Sequence, residues 1–233
     1  MTASPAPAGK RSEEPLTRMS LPDVNPKQGG LGGPIPPEIR GLIFDFDGTL
    51  ADTMPLHWEA WQRIAARHGF AFTERQFYAL GGVPSRDIIR TLSAEQNIPL
   101  DPLAIAREKE DEYLVLLDRV QPIEPMVALA RAQWGQRRMA VASGGSRRVI
   151  SRVLGHLGLA PLFDALVTNE DVTRQKPAPD IFLEAARRIG VAPAGCRAYE
   201  DTDLGLQAIR AAGMEAVDVR LWLESGPRDS VVR

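Results

Sequence analysis

The chain has 233 residues, of which 44% are hydrophobic and 25% are charged, and its formal net charge is −2. These values are typical of a globular protein with one large domain or one domain plus an insert, and they favour neither nucleic acid nor a membrane surface as a partner. The single cysteine, Cys196, excludes an internal disulfide, and no apolar run approaches the ~20 residues that a membrane span needs. We therefore expect a cytoplasmic protein, and we expect a monomer.

The first 38 residues are rich in proline and glycine. They contain eight of the nineteen prolines and the stretch GGLGG at 29–33, and they show no helical or strand period. Segments of this composition bury too little apolar surface to fold on their own. The sequence therefore predicts a disordered tail over residues 1–38.

Beyond the tail, short apolar segments alternate with helical patterns. The predicted strands are 41–46, 138–142, 165–168, 196–200 and 215–219. The predicted helices between and after them are 124–134, 146–157, 179–190 and 203–212. This alternation predicts an α/β fold with a doubly wound, Rossmann-like parallel sheet and helices on both faces.

The first two strands are separated by about ninety residues, which is too long for a simple crossover. Segment 55–119 reads as mainly helical, with patterns such as HWEAWQRIAARHG, and prolines lie near its two ends. We predict a helical cap domain at 55–119, inserted into a core formed by 39–54 and 120–233. Because sites in open α/β sheets lie beyond the carboxyl ends of the strands, an insert at this position would cover the site as a lid.

Four polar clusters stand at the ends of predicted strands or in the loops that follow them. They are DFDGT at 45–49, VASGG at 141–145, KPAPD at 176–180 and EDTDLG at 200–205. In a parallel sheet these four clusters come to one edge. Two aspartates at the end of a buried strand cost free energy unless a partner such as a divalent cation compensates them.

The residue types in these clusters suit phosphoryl transfer. Asp45 is the candidate nucleophile, since a carboxylate can attack phosphorus and form an aspartyl-phosphate. Asp45 and Asp201 are candidate magnesium ligands, together with the backbone carbonyl of Asp47. The side chain of Asp47 is then free to act as general acid and base.

The remaining polar residues suit the binding of an anion. Lys176, Ser143 and the amide of Gly144 are candidates to stabilise charge on a transferred phosphoryl group. Each cluster taken alone also has an ordinary structural explanation, such as a solvated turn or an acidic pair at a helix start. All four in order, each associated with a predicted strand, indicate a functional site.

These motifs resemble those of haloacid dehalogenase-superfamily phosphatases with a helical cap after the first strand. Over residues 41 to about 222 the chain is similar to the β-phosphoglucomutase-like branch, and within it to the bacterial fructose-1-phosphate/6-phosphogluconate phosphatases. The resemblance implies Mg²⁺, an aspartyl-phosphate intermediate and a small phosphorylated sugar as substrate. It makes Asp45 the nucleophile and Asp47 the acid/base.

The same resemblance assigns the binding residues. It implies that Asp45, Asp47 and Asp201 bind the metal, with Glu200 adjacent to them. It also implies phosphate binding by Ser143 and Lys176. Thr49 and Gly144, which belong to the same motifs, complete the predicted phosphate-binding set.

Three positions in the insert match functional positions of the mutase-like branch, namely His57, Arg86 and Lys109. We expect them to contact the substrate, because the four core motifs account only for phosphate and metal. Structural explanations remain open for each of them. His57 suits a core or hinge position, Arg86 a helix start, and Lys109 a solvated face within the charge run REKEDE.

Several functions share this residue set. The preferred one is hydrolysis of sugar phosphates, and the alternative is a β-phosphoglucomutase that interconverts β-glucose 1-phosphate and glucose 6-phosphate. A receiver-type signalling domain would need neither Asp47 nor the insert. A haloalkanoic acid dehalogenase would not need Glu200 and Asp201 as metal ligands.

Overall fold

The computed structural model describes residues 33–223. The predictions for residues 1–32 and 224–233 lie outside this range. None of the helices in the described range has the length and the hydropathy that a membrane span requires.

A five-stranded parallel sheet forms the centre of the protein, in the order β5-β4-β1-β6-β7. Its strands are β1 (Gly41–Phe44), β4 (Arg138–Ala142), β5 (Ala165–Val167), β6 (Cys196–Glu200) and β7 (Glu215–Asp218). The central strand β1 is buried at every residue, as expected for a parallel strand covered on both faces.

Helices cover both faces of this sheet. The core helices are α5 (Glu124–Gln133), α6 (Arg147–His156), α7 (Asp180–Arg188), α8 (Asp203–Ala211) and α9 (Arg220–Leu223). Alternation along β1 divides the core, since Leu42 and Phe44 pack in one apolar cluster with α5 and α6. Ile43 points the other way, into a second cluster with α7 and α8.

The insert between β1 and β4 forms a helical unit, which we call the cap. Its helices are α1 (Met54–His68), α2 (Glu74–Ala79), α3 (Ser85–Gln96) and α4 (Pro102–Leu114). The cap has an apolar cluster of its own, which includes Trp61, Phe77 and Ile89. Leu56 and Tyr113 belong instead to the cluster of the main sheet, so the base of the cap packs directly on the core.

The two linkers between cap and core are paired with each other. Strand β2 (Ala51–Asp52) lies antiparallel to β3 (Gln121–Pro122), and the amide of Ile123 donates to the carbonyl of Leu50. This ribbon fixes the start of α1 next to the end of β1. The cap therefore begins and ends at one point of the core.

The fold class predicted from the sequence, a parallel α/β sheet with an inserted helical unit, is confirmed. The ribbon was not predicted, because two-residue strands have no detectable period. Residues 33–38 differ from the predicted tail, since Ile35 packs against the core and its carbonyl accepts a hydrogen bond from Arg137 at 3.3 Å.

Candidate active site

The carboxyl ends of three parallel strands, together with the loop after β5, bring the four motifs to one edge of the sheet. Asp45 and Asp47 follow β1, and Ser143 follows β4. Lys176 comes from the loop after β5, and Glu200 is the last residue of β6. The amide of Asp45 still donates to the carbonyl of Tyr199, which aligns the ends of β1 and β6.

Lys176 joins two of the motifs through a buried ion-pair cluster. Its Nζ lies 2.5 Å from Asp45 Oδ1 and 2.7 Å from Glu200 Oε2. Burial opposes the charge on this amine, but the two carboxylates outweigh burial and hold the pKa of Lys176 above its ordinary value. Lys176 is therefore a fixed positive charge beside Asp45.

Three carboxylates meet at this edge. Ligand atoms of Asp45, Glu200 and Asp201 all lie within 4.8 Å of one another. Burial, followed by the charge of Glu200, raises the pKa of Asp45, and the same two causes raise the pKa of Asp201 to about 7. This crowding is what a divalent cation relieves, so the residues fit a site for Mg²⁺.

The carboxylates of this trio differ in how fully the protein already binds them. Glu200 Oε1 accepts hydrogen bonds from the Thr202 hydroxyl at 2.7 Å and the Thr202 amide at 2.9 Å, while its Oε2 is held by Lys176. Asp201 accepts a side-chain bond from Thr49 at 3.2 Å. Of the two, Asp201 is therefore freer to bind an added ligand.

Two glycines leave room for these carboxylates. A Cβ at Gly48 would lie 2.2 Å from Asp201 Oδ2, and the φ of +81° at Gly48 is itself unfavourable for other residues. A Cβ at Gly205 would lie 2.0 Å from Glu200 Oε2. Glycine is thus required at both positions, because the carboxylates of Asp201 and Glu200 approach the backbone closely there.

Asp47 is held from the cap side. Its Oδ1 accepts hydrogen bonds from the Thr53 hydroxyl at 2.7 Å and from His57 Nε2 at 3.2 Å. Burial acts to raise the pKa of Asp47, but the bonds from His57 and Thr53 and the nearby charge of Lys109 outweigh it and lower this pKa. Asp47 is therefore ionised at neutral pH.

A chain of hydrogen bonds runs from Lys109 through His57 to Asp47. Lys109 Nζ donates to His57 Nδ1 at 2.7 Å, so the proton of the neutral imidazole lies on Nε2 and points to Asp47. Burial, and next the charge of Lys109, lower the pKa of His57. The His57 ring stacks on Tyr113 with its centroid at 3.9 Å, which fixes its orientation.

The loop between α2 and α3 lies over the site. A Cβ at Gly144 would lie 2.6 Å from the carbonyl oxygen of Gly82, so cap and core approach each other here backbone to backbone. A cavity of about 110 Å³ remains beneath this loop. Asp45, Asp47 and Ser143 line it from the core, and the cap completes its wall.

Most of the predicted site residues lie in or beside this cavity. Those that line it are Asp45, Asp47, His57, Lys109, Ser143, Gly144 and Glu200. Lys176 and Asp201 lie beside Asp45 and Glu200 of this set, and Thr49 donates a hydrogen bond to Asp201.

Arg86 lies apart from the other predicted residues. It is 37% exposed, pairs with Asp87 at 3.9 Å and lines an adjoining outer cavity of about 480 Å³. Thr53 and Tyr113 are the residues that the sequence analysis missed. Thr53 stands where a helix N-cap is expected, but its hydroxyl donates to Asp47 instead of capping α1, and Tyr113 has no distinguishing sequence signal.

Comparison with known proteins agrees with this geometry. The family model of the haloacid dehalogenase-like hydrolases matches residues 39–213. The chain is 44% identical to fructose-1-phosphate phosphatase YqaB of Escherichia coli (strain K12) over 182 residues, covering 78% of this chain and 96% of that protein. It is 29% identical to β-phosphoglucomutase of Bacillus subtilis (strain 168) over 202 residues, covering 84% of this chain and 89% of that protein.

A solved structure shows the same architecture. The β-phosphoglucomutase from Clostridium difficile superimposes with a TM-score of 0.68 at 28% identity, covering 76% of this chain and 83% of that one. The chain therefore belongs to the haloacid dehalogenase-like hydrolases, and it is a phosphatase.

The titration of Lys109 gives a test of the hydrogen-bond chain. Burial lowers the pKa of Lys109 to about 8, below the ordinary value of ~10.4 that holds in the unfolded chain. Between these values the unfolded state binds more protons, so this lysine makes the protein more stable as pH rises and loses that stability as pH falls through 8. Relative to Lys109→Met, we expect wild type to gain about 1–3 kcal/mol of unfolding free energy from pH 8 to pH 10.5.

Urea unfolding at a series of pH values measures this difference. The control is Arg107→Met, which removes a cation from the same helix without removing a titration, because a guanidinium stays charged throughout this range. It should show the pH dependence of wild type. A difference in unfolding free energy between wild type and Lys109→Met that does not change with pH would contradict the lowered pKa of Lys109.

Proposed function

We propose that the protein is a magnesium-dependent phosphatase of small sugar phosphates that works through an aspartyl-phosphate on Asp45. The observation that carries this proposal is the surroundings of Asp45. Its carboxylate is held by Lys176, belongs to a trio of acidic ligands, and lines the same cavity as Asp47. Candidates for a nucleophile, a cation site and an acid/base thus surround one small volume.

The residues that would hold Mg²⁺ are Asp45, Asp201 and the Asp47 carbonyl, with Glu200 behind them. Bound there, the ion supplies positive charge that offsets the carboxylates and the phosphate oxygens. Lys176 and Ser143 supply the remaining donors for those oxygens. Glu200 is best suited to position Lys176 and the loop at Thr202, because both its oxygens are already engaged.

In the first half-reaction an oxygen of Asp45 attacks phosphorus. A bond forms between this oxygen and phosphorus while the bond from phosphorus to the sugar oxygen breaks. Asp47 donates a proton to the leaving oxygen. Asp47 must be protonated for this step, and a phosphate dianion beside it adds a like charge that raises its pKa.

In the second half-reaction water attacks the aspartyl-phosphate. Asp47, now ionised, takes the proton of the water as the new bond to phosphorus forms, and the bond to Asp45 breaks with release of phosphate. The bonds from Thr53 and His57 hold Asp47 in place for both steps. The cap therefore contributes directly to the acid/base, because His57 lies on α1.

Sugar phosphates are the substrate class that fits best. The relative with 44% identity is a fructose-1-phosphate phosphatase, and others are a β-phosphoglucomutase and a phosphorylated carbohydrates phosphatase. The cavity wall combines apolar cap residues such as Trp61 and Val83 with neutral polar groups such as Ser85 and Asn169. Such a wall suits a small polyhydroxylated molecule.

Hydrolysis is favoured over the mutase reaction by the place of Arg86. A mutase must grip a second phosphate while its bisphosphate intermediate reorients, and Arg86 was the expected cation for that purpose. Arg86 lies in the outer cavity and not in the one shared by Asp45 and Asp47. Lys109, the other expected cation, already donates to His57.

Replacement of the nucleophile tests the covalent step. Asp45→Asn is nearly isosteric and keeps a group beside Lys176, but an amide cannot form the phosphoryl ester. We expect turnover to fall by at least about 10⁴-fold, equivalent to about 5.5 kcal/mol of barrier, with an unchanged circular dichroism spectrum. Retention of more than about a tenth of wild-type activity would exclude Asp45 as the nucleophile.

Removal of divalent cations tests the metal site. Stripping with EDTA should abolish hydrolysis of fructose 1-phosphate, and added Mg²⁺ should restore it. Because the pKa of Asp201 is about 7 in the free site, protons compete with the cation, and the Mg²⁺ concentration for half-maximal activity should rise as pH falls below 7. Asp201→Asn should raise this concentration more than Glu200→Gln, and equal effects would argue against Asp201 as the direct ligand.

The fate of the phosphoryl group separates hydrolysis from isomerisation. β-Glucose 1-phosphate and fructose 1-phosphate are incubated separately with the enzyme, and free phosphate and glucose 6-phosphate are followed together. We expect phosphate release from fructose 1-phosphate to be the faster reaction. Formation of glucose 6-phosphate faster than any phosphate release would instead identify a mutase.

A further inference from the structure

The cavity that holds Asp45 and Asp47 has few charged groups on its cap side. Within the part of the chain that the structure describes, no arginine lines it. The charged or titratable cap residues that line it are His57, Lys109 and Glu110. Lys109 and His57 are committed to each other and to Asp47, and Lys109 is only 5% exposed. Glu110 is therefore the charged cap group that remains for the far end of a substrate.

Glu110 lies where the inner and outer cavities meet. It follows Lys109 on α4 and lines both cavities, and its side chain is 21% exposed. Its Oε2 accepts a long hydrogen bond of 3.4 Å from Arg148, whose closer partner is Asp111. Glu110 thus shares its cationic partner Arg148 with Asp111.

We propose that Glu110 is a specificity-determining residue that selects substrates whose far end is uncharged and bears hydroxyl groups. This inference rests on the proposed sugar phosphatase function and deepens it, and it narrows the substrates implied by the resemblance to fructose 1-phosphate rather than 6-phosphogluconate. A carboxylate accepts hydrogen bonds from sugar hydroxyls. The same carboxylate repels a carboxylate or a second phosphate at close range, because both groups carry the same sign of charge. The enzyme then discriminates by repulsion as well as by attraction.

Two substrates that differ only at the far end provide the measurement. Sorbitol 6-phosphate and 6-phosphogluconate have the same chain length and phosphate position, but the first ends in a hydroxymethyl group and the second in a carboxylate. The measured quantity is kcat/KM for each from released phosphate, and the ratio of acid to alcohol cancels general losses of activity. We expect wild type to favour sorbitol 6-phosphate.

The variant is Glu110→Gln, which keeps the size of the side chain and removes its charge. We expect the acid-to-alcohol ratio to rise by about 10-fold, since one charge repulsion is removed at close range. Glu110→Ser, which is shorter and also neutral, should shift the ratio in the same direction. The matched control is Glu108→Gln, which removes a carboxylate from the same helix that pairs with Arg67 and His68 and that lines neither cavity. Its ratio should stay within about 2-fold of wild type.

The outcomes separate this inference from the function on which it rests. An unchanged ratio in both Glu110 variants, or an equal rise in Glu108→Gln, overturns the role of Glu110 while hydrolysis of sorbitol 6-phosphate by wild type still supports the sugar phosphatase. Hydrolysis of p-nitrophenyl phosphate but of neither sugar compound by wild type overturns the substrate class and the inference together.

Discussion

A buried lysine between two carboxylates fixes the arrangement of the whole site. Lys176 reaches from the loop after β5 to Asp45 at the end of β1 and to Glu200 at the end of β6. Removing one member of such a buried cluster leaves an uncompensated charge, at a typical cost of about 3–5 kcal/mol. The same residues that we propose for catalysis therefore also contribute to the stability of this edge of the sheet. Asp201 adds a third negative charge, which is why the edge as a whole favours a cation.

A second constraint is that Asp47, the proposed acid/base, has its two shorter hydrogen-bond donors on the cap side, while Ser143 of the core donates from 3.5 Å. Asp47 belongs to the strand-end motif, but the donors to its Oδ1, Thr53 and His57, lie at the start of α1. A displaced cap would leave Asp47 without them. Cap position and protonation of Asp47 are thus coupled through two hydrogen bonds, so the proposed reaction depends on where the cap lies.

The sequence was sufficient to predict which residues lie together at the ends of the strands. Asp45, Ser143 and Glu200 could be placed together because parallel strands deliver their carboxyl ends to one edge. The cap residues were harder, since their directions depend on how helices rotate against the core. In the charge run REKEDE, Lys109 points inward whereas Glu112 pairs with Arg63 and Arg67 at the surface, and the run itself gives no sign of this. Arg86 was expected at the site from the resemblance to the mutase-like branch, and it lines the outer cavity instead.

The paired linkers between cap and core have a consequence for how such proteins diversify. Because β2 lies against β3, the chain leaves the core and returns to it at neighbouring points, as in a hairpin whose tip has been lengthened. The separation between the two points at which the cap joins the core is then independent of the number of residues in the cap. One helical unit can therefore be exchanged for another of different size without moving the strand ends. The same reaction can then be combined with a cap that selects a different substrate.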